Sequence, residues 1–136
     1  MENFAIESGQ RLRNLREILN EGGKLSADQF AFIINESQDK IINYELGRSA
    51  IPIKLLYEIY KRGFNPNYII SGTGSIFLDD EHGQKLKSVF EYKLQNSVLS
   101  MSERAKISAA LEGGESFSKI CDVLNSTKVA AGRIKK

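Results

Sequence analysis

Leu25-Ser26-Ala27-Asp28-Gln29-Phe30-Ala31-Phe32-Ile33-Ile34-Asn35-Glu36-Ser37-Gln38-Asp39-Lys40-Ile41-Ile42-Asn43-Tyr44-Glu45-Leu46 is the stretch whose reading decides the fold. Ser26 followed by Gln29 is a capping box: the serine oxygen can accept from the Gln29 N–H while the glutamine reaches back. It opens a short helix over 27–34, with Phe30, Ile33 and Ile34 facing inward. Asn35 tolerates the left-handed backbone that stops a helix. Ser37 caps a second helix over 38–46, with Ile41 and Tyr44 inward, and Gly47 closes it. Two short helices with only a tight turn between them result.

Working outward, residues 10–20 read as an amphipathic helix. Leu12, Leu15, Ile18 and Leu19 recur at three- and four-residue spacing, Ser8 is the candidate cap, and Gly22-Gly23 ends it. Downstream, Pro52 sits where its missing N–H costs nothing, and Ile53, Leu56, Ile59 and Tyr60 form a stripe that Gly63 terminates. Asn65-Pro66 begins one more helical turn with Tyr68, Ile69 and Ile70. Ser71-Gly72-Thr73-Gly74 is a loop by composition; no strand precedes it and no Lys follows, so it is no P-loop. Asp79-Asp80-Glu81 breaks the apolar pattern and sets an expected boundary: domain 1–79, then a helical region 80–136. In the latter, residues 85–99 form one amphipathic helix, Ser102 caps a second and Ser116 a third. A second, weaker helix-turn-helix echo would have Thr127 cap a last helix carrying Arg133, Lys135 and Lys136. The expected fold class is all-α.

At 136 residues, the chain can bury a core without covalent staples. An apolar share of 41% is too high for disorder. No window approaches a membrane span, and Met1 to Ile6 lacks the basic start and apolar run of a secretory signal, so a cytoplasmic location is expected. One cysteine, Cys121, excludes an internal disulfide framework and Cys-based zinc, and one histidine, His82, removes most His-centred metal and catalytic sets. No acid–base pair, nucleophile–base pair or ligand set is evident, so the expectation is no enzyme, no metal and no cofactor. Cys121 reads as a small core residue. The net charge of +2 hides a gradient: residues 1–78 carry nine Lys/Arg and nine Asp/Glu, and residues 79–136 carry ten and eight. A neutral N-terminal half offers little electrostatic pull on nucleic acid, so any such reading rests on pattern.

That pattern is specific. Gly9-Gln10-Arg11-Leu12-Arg13-Asn14-Leu15-Arg16, then Leu25 to Ala31, Ser37 to Ile41, Asn43-Tyr44-Glu45-Leu46-Gly47-Arg48 and Pro52 resemble, in order and spacing, the Cro- and lambda-repressor-like (XRE-type) helix-turn-helix family. Asn67-Tyr68-Ile69-Ile70-Ser71-Gly72-Thr73-Gly74 resembles the Trp-Leu-Leu-x-Gly-x-Gly ending of phage-repressor members. The resemblance covers residues 8–78. It implies a five-helix DNA-binding domain and a transcriptional regulator, a bacterial or phage repressor that binds a palindromic operator in double-stranded DNA as a homodimer or higher homo-oligomer. An antitoxin that autoregulates through the same module is the alternative; the protein partners these readings imply are an antirepressor for a repressor and a toxin for an antitoxin. The resemblance assigns Gln38, Asp39, Lys40 and Asn43 to base edges, where their donors and acceptors suit adenine, cytosine and guanine. It assigns Arg48 to a phosphate and Arg16 with Glu45 to a structural ion pair, and Lys24, Ser26 and Lys54 are the further candidate phosphate contacts. Three positions depart from the family: Ala27 replaces its usual Gln, Asn35 the turn Gly, and Glu36 an apolar residue. Carboxylates at Glu36 and Asp39 repel phosphate. Beyond the module, Leu86, Phe90, Leu94 and Val98 line the apolar side of the long helix and are the expected oligomerisation residues, since a 57-residue piece is small for a core of its own.

Overall fold

The computed structural model describes residues 2–19, 25–96 and 98–134. Within them the chain is all-α. The elements are α1 (Glu2–Arg16), α2 (Ala27–Ile33), α3 (Gln38–Glu45), α4 (Ile53–Lys61), α5 (Pro66–Ser71), α6 (Glu81–Asn96), α7 (Met101–Glu112) and α8 (Gly114–Ile134). No described helix is long and apolar enough to cross a membrane.

Local chemistry sets most of the ends. Ser26 and Gln29 form the reciprocal capping box that starts α2. Asn35 takes φ 58° after it, and the Ser37 hydroxyl accepts from Lys40 N at 3.3 Å to start α3. Asn65 caps α5 through Asn67 N at 3.1 Å, and Gly72 ends α5 in the left-handed conformation.

Several starts differ from the sequence reading. α1 begins at Glu2, and Ser8 lies inside it, its hydroxyl bonded to the Phe4 carbonyl at 2.7 Å. α7 is capped by Ser100, whose box partner is Glu103, and not by Ser102. Ser116 falls within α8, which runs unbroken through Thr127 to Ile134, so residues 102–134 contain no second helix-turn-helix.

Among the described residues, one core spans both sides of the expected boundary. Leu12, Leu15, Ile18, Phe30, Ile41, Leu55, Ile59, Tyr68 and Ile69 share it with Phe90, Ile107, Ala110, Phe117 and Cys121. The acidic run at 79–81 is exposed and marks a surface corner, not a break in packing. Just before that corner Phe64 and Phe77 pair as an antiparallel bridge. Phe90 of α6 packs edge-on to both rings, with centroids at 6.3 Å from Phe64 and 5.2 Å from Phe77. Gly83 lets α6 start against the Leu78 carbonyl, where a Cβ would overlap.

The same logic operates at Gly9, where α1 crosses the end of α3. A Cβ there would overlap the Tyr44 carbonyl oxygen and lie 2.8 Å from that of Glu45. Both obstacles are backbone, so a rotamer change cannot relieve them. Gly9→Ala is therefore expected to destabilise by ~1–3 kcal/mol despite alanine's better helix propensity, read as a lowered urea midpoint with unchanged m.

Candidate functional site

The α2–α3 pair forms a tight corner. After Asn35, the Glu36 N–H donates to the Ala31 carbonyl at 2.8 Å, folding the turn back on α2. Ile41 and Tyr44 point inward, at 0% and 9% exposure, which turns the opposite side of α3 outward. Gln38, Asp39 and Lys40 are exposed on its first turn and Asn43 is half-buried one turn on. The four residues assigned to base edges thus share the outer side of one helix.

Flanking charges are fewer than the residue types promise. Arg48 and Lys54 are exposed. Lys40 pairs with Glu36 at 3.5 Å, and Glu36 also accepts from Ser37 N at 3.2 Å. The departure at Glu36 thus has a local role: its carboxylate braces the turn. Ser26 is exposed, its oxygen engaged by Gln29 N at 3.1 Å. Lys24 lies outside the described residues.

Arg16 locks the far end of α3. Its Nε donates to Glu45 Oε2 at 2.7 Å and its Nη2 to Oε1 at 2.9 Å, a bidentate fork. Its Nη1 donates to the Leu25 carbonyl, just before α2. The two side chains are only 9% and 7% exposed, so this pair is interior and its hydrogen bonds are matched. One residue along, Glu17 accepts from Lys106 Nζ of α7 at 2.9 Å, with side-chain exposures of 6% and 14%. Arg16 and Glu17 together join α3 and α7 to the end of α1. The Lys106 contact spans 89 positions and left no local signature in the sequence. Arg11 donates through Nη1 to the Ile69 and Ile70 carbonyls at 3.2 and 3.1 Å, tying α1 to α5.

The expected oligomerisation residues divide differently from the sequence reading. Phe90 is fully buried, and Leu86 and Leu94 pack against the same intrachain core. Val98 lies beyond α6 and is fully exposed. The apolar stripe of α6 is therefore covered by the chain itself: Phe64, Phe77 and the helices around them supply the partner surface.

Cys121 is 1% exposed, and burial pushes its thiol up to about 12. Such a thiol is neutral and unreactive near neutral pH. Tyr68, buried beneath α8 and bonded to Ser118 at 3.1 Å, is likewise raised to about 12 by burial. Both neutral forms are favoured by folding. Below their ordinary values, 9.0 and 10.0, folded and unfolded chains are equally protonated and stability is full. As pH rises, the unfolded chain loses these protons first, so stability falls until the folded groups titrate near 12. Denaturant midpoints should drop across that alkaline window, and a thiol reagent at pH 8 should modify Cys121 only after unfolding.

A polar groove of about 410 Å³ separates α1 from α8, lined by Gln10, Arg11, Asn14, Ser118 and Lys119 among others. Its cations already have carboxylates on their own helices: Arg11 with Glu7 at 3.5 Å and Lys119 with Glu115 at 3.4 Å. No group of His, Cys, Asp and Glu that could hold a metal occurs among the described residues. Comparison with known families, with curated proteins and with solved structures found no match to this chain.

Proposed function

We propose that this chain is a sequence-specific DNA-binding transcriptional regulator, of bacterial or phage repressor type, whose N-terminal half is a lambda-repressor-like helix-turn-helix domain. α3 is the recognition helix. α2 braces it across the DNA backbone, and two protomers read the half-sites of a palindromic operator. The observation that carries this reading is the outer side of α3. Gln38, Asp39, Lys40 and Asn43 face out from a helix whose inner side is buried and whose ends are fixed by Ser37 and by the Arg16–Glu45 fork. Base readout needs such a projecting, pre-organised set of short polar side chains. Arg48 and Lys54, both exposed, flank it as phosphate contacts. With Arg48 and Lys54 as the exposed phosphate contacts and carboxylates at Glu36 and Asp39 nearby, few phosphates are neutralised per protomer.

The test is selection of a preferred duplex from random sequence with the purified full chain, followed by substitution. Gln38→Ala and Asn43→Ala should each cost ~1–3 kcal/mol on the selected duplex and little on random DNA. Arg48→Ala should weaken both alike and reduce the slope of log K against log salt by about 0.9. Equal weakening of both duplexes by Gln38→Ala and Asn43→Ala, or no preferred duplex at all, would overturn the reading.

A further inference from the structure

An apolar surface lies on α4, with α1 and α5 beside it. On α4, Ile53, Leu56, Tyr57 and Tyr60 fall at the spacing that places them on one helical side. Ile53 is 83% exposed, Tyr57 56% and Tyr60 45%. The two tyrosine rings stack with centroids 6.3 Å apart. Leu56 then enters an apolar groove shared with Phe4 of α1 and Ile70 of α5, themselves 52% and 45% exposed. The apolar residues thus extend from α4 across to α1 and α5, with Ser8 among those that line the groove.

Its size matters. At roughly 150–250 Å² per large side chain, these exposures leave on the order of 500 Å² of apolar surface in water. That is at the upper end for a patch on a monomer, and patches of this kind mark interfaces. With a polar rim it reaches the ~800 Å² that each partner of a stable complex contributes. Its charge matters equally. The neighbouring Lys61 and Glu58 pair with each other at 3.1 Å, and Lys61 lies over the Tyr57 ring at 5.0 Å. A contact related by a two-fold axis sets a surface against itself, so it tolerates a rim that carries both signs, as Glu58 with Lys54 and Lys61 does here, and rejects a single-sign one. The face also combines projecting rings with an adjacent groove, which lets each copy supply both knob and hole.

We infer that this α4 face, with Phe4 and Ile70, is the surface on which a second copy of the chain docks. The choice of a second copy rests on the proposed reading of two half-sites as well as on the mixed-sign rim and the size of the face. It relocates the dimer contact from α6, whose stripe is covered by the chain's own core.

Sedimentation of the full chain without DNA tests this. The wild type should be a dimer at roughly 100 µM, a concentration that captures even a weak specific complex. Ile53→Glu and Tyr57→Lys should each weaken dimerisation ~30-fold or more while circular dichroism stays native, since both side chains are exposed in the monomer. Tyr92→Glu on α6 and Val98→Glu beyond it should leave the dimer intact. A monomeric wild type, dimers that survive both α4 variants, or dissociation by Tyr92→Glu or Val98→Glu would each overturn the inference. Because no DNA is present, these outcomes are independent of the Gln38 and Asn43 measurements: a misplaced dimer face would leave base discrimination by α3 untouched.

Discussion

Phe90→Asp should unfold the protein. Phe90 is fully buried, edge-on to Phe64 and Phe77, where the segment leading into α5 pairs with the segment leading out to α6. The substitution removes an aromatic side chain from a packed interior, a loss of about 3–5 kcal/mol by itself. It also places a carboxyl among rings that offer no hydrogen-bond donor, and must either bury its charge or raise its pKa to neutralise it. The sum rivals the whole stability of a domain this size. The expected result is loss of the cooperative thermal transition and of the α1–α5 fold together with α6–α8. Phe90→Leu should keep the transition at a lower midpoint. A Phe90→Asp chain that remained folded and merely failed to self-associate would show that this side chain serves another copy and not the interior.

Arg16→Leu is expected to cost about 3–5 kcal/mol, because it leaves the Glu45 carboxylate and the Leu25 carbonyl in the interior without their donors. The double variant Arg16→Leu with Glu45→Leu should recover a substantial part of that loss, since it also removes the stranded charge. Glu45 closes α3 and Arg16 closes α1, so hydrogen exchange in α3 should rise in the single variant more than in α4. If the single substitution cost less than about 1 kcal/mol, the pair would behave as a surface ion pair and would not be what fixes α3.

The helix ends that were legible in the sequence are those whose chemistry is closed within three residues. Ser26 with Gln29, Ser37 with the Lys40 N–H, and Asn65 beside Pro66 each satisfy free N–H groups locally, and Asn35 takes its positive φ at little cost. The outward set on α3 was legible for a related reason. Ile41 and Tyr44 define the inner side, and helical geometry then fixes where Gln38, Asp39, Lys40 and Asn43 must stand. Where a stretch held several serines, local signals competed. Ser8, Ser100, Ser102 and Ser116 all have the side chain of a cap, and only Ser100 serves as one, because Glu103 completes its box while the backbone around Ser8 and Ser116 continues as packed helix.

The sequence by itself determined the helical class, the α2–α3 corner and the polar set it presents. Periodicity reports which side of a helix is apolar but not what covers it. Phe90 and Leu94 on α6, and Ile53 and Tyr57 on α4, carry the same kind of stripe, yet the first pair enters the core and the second stays in water. Only the tertiary structure decided between them, through contacts such as Phe90 with Phe64 and Phe77 and Lys106 with Glu17. Those contacts join residues far apart in the chain, and they depend on shape and desolvation at the meeting point, which no local run of residues encodes.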